Sequence, residues 1–99
     1  MSRYDVYPNP DGAGYLLDVQ TDILGGLNTR VVVLLLPADE APEPADRLNP
    51  VFSIDGQQLI MGTQFLAAVP ISILKLPVDN LSEQYLEITN ALGMVFQGF

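Results

Sequence analysis

Short runs of alternating or wholly apolar residues, cut by turn residues, fill the chain up to Pro77, and a longer three-to-four-residue rhythm takes over after Asn80. Arg3–Tyr7 alternates polar and apolar positions, as a half-buried strand does. Pro8-Asn9-Pro10-Asp11-Gly12 is dense turn chemistry, and Gly14–Gln20 (GYLLDVQ) reads as a second strand, so the two predict a hairpin. Thr21–Asn28, with Asp22 and Gly25-Gly26, reads as an irregular surface loop carrying Ile23 and Leu24. Arg30–Leu36 (RVVVLLL) is too short for a typical helix and rich in β-branched residues, which predicts a central strand buried on both faces and ended by Pro37.

Ala38–Pro50 holds Pro42, Pro44 and Pro50 together with Asp39, Glu40, Glu43 and Asp46, and reads as a solvated acidic loop. A calcium site there would need ligand spacing that this loop does not have. Val51–Ile54 and Gln58–Met61, joined through Asp55-Gly56-Gln57, predict a second hairpin. Gly62–Ala68 (GTQFLAA) is ambiguous, with Thr63 a possible cap for a turn of helix. Ile71–Leu76, entered through Val69-Pro70, reads as a further strand.

The final stretch predicts a helix. Asn80 or Ser82 supplies the cap, and Asn80 with Glu83 has capping-box spacing. Tyr85, Ile88, Leu92, Val95, Phe96 and Phe99 form one apolar stripe, with Glu83, Glu87, Asn90, Ala91, Met94 and Gln97 on the other side. The rhythm carries the helix to the last residue, where a terminal carboxylate would oppose the helix dipole. Phe99 either tucks under the sheet or belongs to a presented contact surface, Met94–Phe99. These elements predict one domain over residues 1–99, mainly β with one C-terminal α-helix: an antiparallel sheet or small barrel with the helix packed on it.

Composition narrows the chemistry. Twelve acidic residues against four basic ones give a net charge of −8. Only Arg3, Arg30, Arg47 and Lys75 could neutralise phosphates, which argues against direct nucleic-acid binding and favours a basic protein partner or mere solubility. Apolar residues make up 48% of the chain, enough for a core and an additional buried surface such as a dimer interface. Without histidine or cysteine there is no unperturbed group titrating near neutrality, no thiolate nucleophile and no usual zinc ligand set. No P-loop, dinucleotide fingerprint or nucleophile elbow occurs. No catalytic residue, metal ligand or cofactor is therefore expected. Asp18 and Asp22 could form an acid–base pair, but with Arg30 they are better read as ordering the loop by hydrogen bonds and an ion pair. The N-terminus carries no apolar leader and the longest apolar run, Val31–Leu36, is too short to span a bilayer, so a cytoplasmic protein without membrane contact is expected.

Asp18-Val19-Gln20-Thr21-Asp22-Ile23-Leu24, then Arg30-Val31-Val32, then Phe96-Gln97-Gly98-Phe99 resemble the CcdB family, with Asn49-Pro50-Val51, Ile60-Met61, Val69-Pro70 and Asn90-Ala91 in compatible order. The resemblance covers essentially the whole chain. It implies a toxin of a type II toxin–antitoxin module that poisons DNA gyrase, is neutralised by a cognate antitoxin, and is itself no enzyme. It implies an SH3-like barrel, with an antiparallel sheet, a small second sheet and the C-terminal helix, assembled as a homodimer. Ile23, Leu24, Gly98 and Phe99 match the family's contacts to the gyrase A subunit, with Phe96 and Gln97 beside them. Met94 and Val95 are expected near the dimer axis.

The departures matter as well. Gln97 stands where the best-known members carry a tryptophan that stacks on the target, a change worth about 2 kcal/mol or more at an interface centre. Phe99 replaces a branched aliphatic residue, and Gly93 a polar one. Pro8–Gly14 has only Asp11 as a charge where the family often has basic residues, which implies a less acidic antitoxin tail and salt-insensitive binding. Two alternatives stay open: a relative that binds antitoxin but no longer poisons gyrase, and a ribonuclease built on the same barrel, which would normally need a basic groove with an acid and a base.

Overall fold

A computed structural model describes residues 2–41 and 43–98. Two hairpins and a long crossing strand build it. Strand β1 (Asp5–Pro8) and strand β2 (Tyr15–Asp18) pair antiparallel, Val6 opposite Leu17. The turn between them closes on itself, the Asn9 N–H reaching the Gly14 carbonyl at 3.2 Å and its side-chain amide the Ala13 carbonyl at 3.2 Å. Gly14 has φ +87°, and a Cβ there would fall inside the van der Waals envelope of the Leu35 carbonyl oxygen. Only glycine satisfies both conditions.

Strand β3 (Thr29–Pro37) has β2 on one side and strand β5 (Gln57–Pro70) on the other. Its backbone groups are thereby paired on both edges, and its side chains feed two apolar layers. Val33 and Leu35 join the main core with Val6, Leu17, Phe52, Leu59, Met61 and Ile88. Val32 and Leu34 join a smaller cluster with Tyr7, Leu16 and Leu74 on the opposite face. The expectation of a strand buried on both sides is met for this reason.

Strand β4 (Val51–Ile54) turns into β5 through Asp55 and Gly56, both left-handed at φ +54° and +78°, as a two-residue hairpin demands. β5 then runs on through Pro70, so Gly62–Ala68 is strand and not a helical turn. Thr63 is fully buried, and its hydroxyl donates to the Leu48 carbonyl instead of capping a helix. The ladder shifts register here: Val32 faces Ala67 while Leu34 faces Gly62, so residues 63–66 stand opposite Val33 alone. Such a bulge re-aims side chains, and Asn49 pins it by donating to the Met61 carbonyl at 2.9 Å and the Gln64 side chain at 2.8 Å.

The strand expected at Ile71–Leu76 is absent. Ile71–Ile73 forms a short helical turn, its first N–H tied to the Asn28 carbonyl at 3.0 Å, and Leu74 drops into the smaller cluster. Burial of Leu74 against the sheet face wins over edge pairing. A strand that no pattern signalled, β6 (Asp79–Asn80), pairs with β1 instead. Strand order is β4-β5-β3-β2-β1-β6, every neighbouring pair antiparallel, and the sheet curls into a nearly closed barrel. The small second sheet expected from the resemblance does not stand apart: among the described residues all six strands share one sheet, because β5 is long enough to pair with β4 at one end and with β3 along most of its length.

The expected cap does not form. Asn80 accepts from the Ser82 N–H at 2.9 Å, but the N-cap of the short helical turn Ser82–Gln84 is Leu81 and that of helix α1 (Tyr85–Gln97) is Gln84. No side chain caps either, because the extra turn moves the start of α1 beyond the reach of Asn80. Its inward face differs from the expected stripe. Ile88 and Ala91 are fully buried, with Leu92 packed beside them, whereas Tyr85, Val95 and Phe96 are exposed. Ala91, assigned by pattern to the polar side, lies against the core, where its small side chain allows close approach. Nor does the helix run on to the chain end: Gly98 adopts a left-handed conformation, φ +81°, and its N–H reaches the Met94 carbonyl at 3.1 Å, stopping α1 at Gln97.

Candidate binding surface

Two patches carry the residues singled out from the sequence. The first is the helical turn Asp22–Leu24, which buries none of its side chains: Ile23 is 90% exposed and Leu24 45%. The Thr21 hydroxyl accepts from the Ile23 N–H at 3.4 Å, and the Leu24 and Gly25 N–H groups close back on Thr21 and Asp22. Behind the turn lies a buried ion pair. Arg30, 1% exposed, donates Nε to Asp18 Oδ2 at 2.8 Å and Nη2 to Asp18 Oδ1 at 3.0 Å. Its Nη2 also reaches the Gln20 carbonyl at 3.2 Å and Asp22 Oδ1 at 3.5 Å.

Burial pushes the Asp18 carboxyl up from its ordinary value, against the hydrogen bonds and charge of Arg30. Burial alone would lower the Arg30 guanidinium, but Asp18 and then Asp22 outweigh it and hold it above its ordinary value. Asp18 is thus sealed and occupied by Arg30 and the Gln20 N–H, while Asp22, largely exposed, accepts from the Arg3 N–H at 2.9 Å. The three charged residues order the loop, as their spacing predicts; the carboxylates do not face each other across an open cleft.

The second patch is the end of α1. Phe96 is 69% exposed, Gln97 and Gly98 are exposed, Val95 is open at the margin and Met94 is half-buried. Phe99 lies outside the described residues. Among the described residues no hydrogen bond or ion pair joins this patch to the turn. Sequence reasoning also missed apolar residues that the fold leaves outside: Leu27 beside the turn, Tyr85 and Leu86 on α1, and Leu76 and Val78 before β6 are all exposed. Only the fold reveals them, since each lies in a run that could equally have been core. Among the described residues no helix is long and apolar enough to cross a membrane.

The CcdB protein family model matches residues 3–98, which span every strand, the turn and α1. The chain belongs to the CcdB family, whose members are toxins of toxin–antitoxin modules.

Proposed function

We propose that this chain is a toxin that binds the DNA gyrase A subunit through the end of α1, assisted by the Asp22–Leu24 turn, and poisons the gyrase–DNA complex. Phe96, Gln97, Gly98 and Phe99, with Ile23 and Leu24, make the contact; a cognate antitoxin neutralises it by covering the chain. It works as one domain and as a homodimer in the cytoplasm, with Met94 and Val95 near the two-fold axis. It acts by binding and carries no reaction centre.

The observation that carries this reading is the exposure of large apolar side chains at and beside the family's contact positions, Ile23 at one of them and Phe96 next to the others. A chain with a well-filled core gains nothing for its own stability by leaving them in water, and burying each against a partner is worth about 1.5–3 kcal/mol. The decisive experiment mixes the protein with gyrase, ATP and supercoiled plasmid. Linearised plasmid is expected, with no cleavage of RNA when gyrase is omitted. A chain lacking residues 97–99 should stay dimeric and lose the effect. Intact plasmid with gyrase of the same host would reject the poisoning step. Gln97, a polar amide at the tip, favours a second reading in which antitoxin binding persists without poisoning; tight antitoxin binding with intact plasmid would identify it.

A further inference from the structure

Ile23 and Leu24 sit on a turn with no buried side chain of its own, so polar bonds from behind must fix its geometry. Residue 20 concentrates them. Gln20 is 7% exposed. Its Nε2 donates to the Leu24 carbonyl at 3.2 Å and the Thr29 carbonyl at 3.4 Å, while its Oε1 accepts from the Val31 N–H at 3.1 Å. Its backbone is equally committed, the N–H donating to Asp18 Oδ1 at 3.1 Å and the carbonyl accepting from Arg30. One buried amide therefore bridges the end of the turn to β3.

We propose that Gln20 is a positioning residue: its amide straps the Leu24 carbonyl to β3, so that Ile23 and Leu24 meet a partner in one fixed orientation. The proposal rests on the reading that this turn contacts the gyrase A subunit. Gln20→Glu isolates the strap, because it keeps an acceptor for the Val31 N–H but turns the donor facing two carbonyls into an acceptor. A floppy turn would have to be ordered at each encounter, which lowers affinity without removing a contact.

The test has two arms. Hydrogen exchange on the full-length protein should show the Leu24, Gly25 and Leu27 amides exchanging about tenfold or more faster in Gln20→Glu, with those of β3 and α1 unchanged. If every amide speeds up, Gln20→Met, which keeps the volume and carries no charge, must confine the faster exchange to the turn and to Val31, whose N–H loses its acceptor. Turn amides that exchange no faster in both variants overturn the proposal. In the second arm, affinity for the gyrase A subunit is measured for Gln20→Glu, Ile23→Ala and the double variant. Each single variant should bind about tenfold weaker and the double no weaker than Ile23→Ala within about twofold, as coupled positions do. Independent, multiplying losses overturn it. If the unaltered chain fails to bind gyrase, the functional reading falls while the exchange arm still decides the strap.

Discussion

The turn Asp22–Leu24 and the tip of α1 both offer bare apolar side chains, but they are held by opposite means. Behind the turn stand Asp18, Arg30 and Gln20, three buried polar side chains whose hydrogen bonds converge on a few backbone groups. Behind the tip stands a helix seated on the sheet by Ile88, Ala91 and Leu92, and closed by one glycine. Polar geometry fixes direction sharply and fails abruptly when one partner goes. Apolar seating tolerates adjustment and fails in proportion to the volume removed. The molecule thus presents one rigid patch and one that can adapt.

The largest effects should separate the two supports. Asp18→Ala leaves the buried Arg30 charge with only the Gln20 carbonyl and a long contact to the exposed Asp22, and should cost about 3–5 kcal/mol in denaturant unfolding. Ile88→Ala should cost about 2–5 kcal/mol, with the loosening registered first in the amides of α1. Equal disturbance of turn and tip in both variants would erase the contrast.

Next comes pH. Burial, then the charges of Asp5 and Asp18, push the Tyr7 hydroxyl up to about 12 from an ordinary value near 10. A raised value means that the contribution is complete below pH 10 and is lost as pH climbs through 12, a fall of about 2–3 kcal/mol. Urea unfolding between pH 9 and 12 should show it, and Tyr7→Phe should flatten the curve by that amount. An unchanged slope in the variant would mean that burial and the neighbouring Asp5 and Asp18 do not hold the proton on the phenol.

A smaller effect belongs to the helix tip. Gly98→Ala forces a side chain into the left-handed region at a cost of about 1–2 kcal/mol, borne locally as fraying of the last turn; amide exchange at Gly98 should rise while that of Leu24 stays level. Smallest of all, Ile23→Ala and Phe96→Ala should shift stability by no more than about 0.5 kcal/mol, yet each should weaken gyrase binding about tenfold or more. Loss of stability from either would place that side chain in the fold and remove it from the contact surface.

Much of this was legible in the chain. β1 to β4 follow from alternation and turn residues, because each has one register that buries its apolar set. The roles of Asp18, Asp22 and Arg30 were also readable, since charges in otherwise apolar runs demand partners. β5 was harder: Gly62–Ala68 suits strand or helix by composition, and the bulge opposite Val33 depends on Asn49, a residue from a distant loop. Ile71–Leu76 has the composition of a strand, but Pro70 and the Asn28 carbonyl bend it off the sheet. The helix misled for a different reason. Apolar residues occupy so much of its circumference that periodicity alone could not choose between Ala91 and Phe96 as the inward member. Gln20 gave no signal as a strap, because a single amide at a strand end has no pattern.

The first hairpin carries a lesson about freedom to vary. Its tip touches little: Asp11 is exposed and a Cβ on Gly12 would meet open space. Two residues later the situation reverses, for Gly14 is clamped against the main chain of Leu35 and no other amino acid fits. Changes of length or character are therefore sterically tolerated between Pro10 and Ala13, while position 14 stays frozen by steric exclusion.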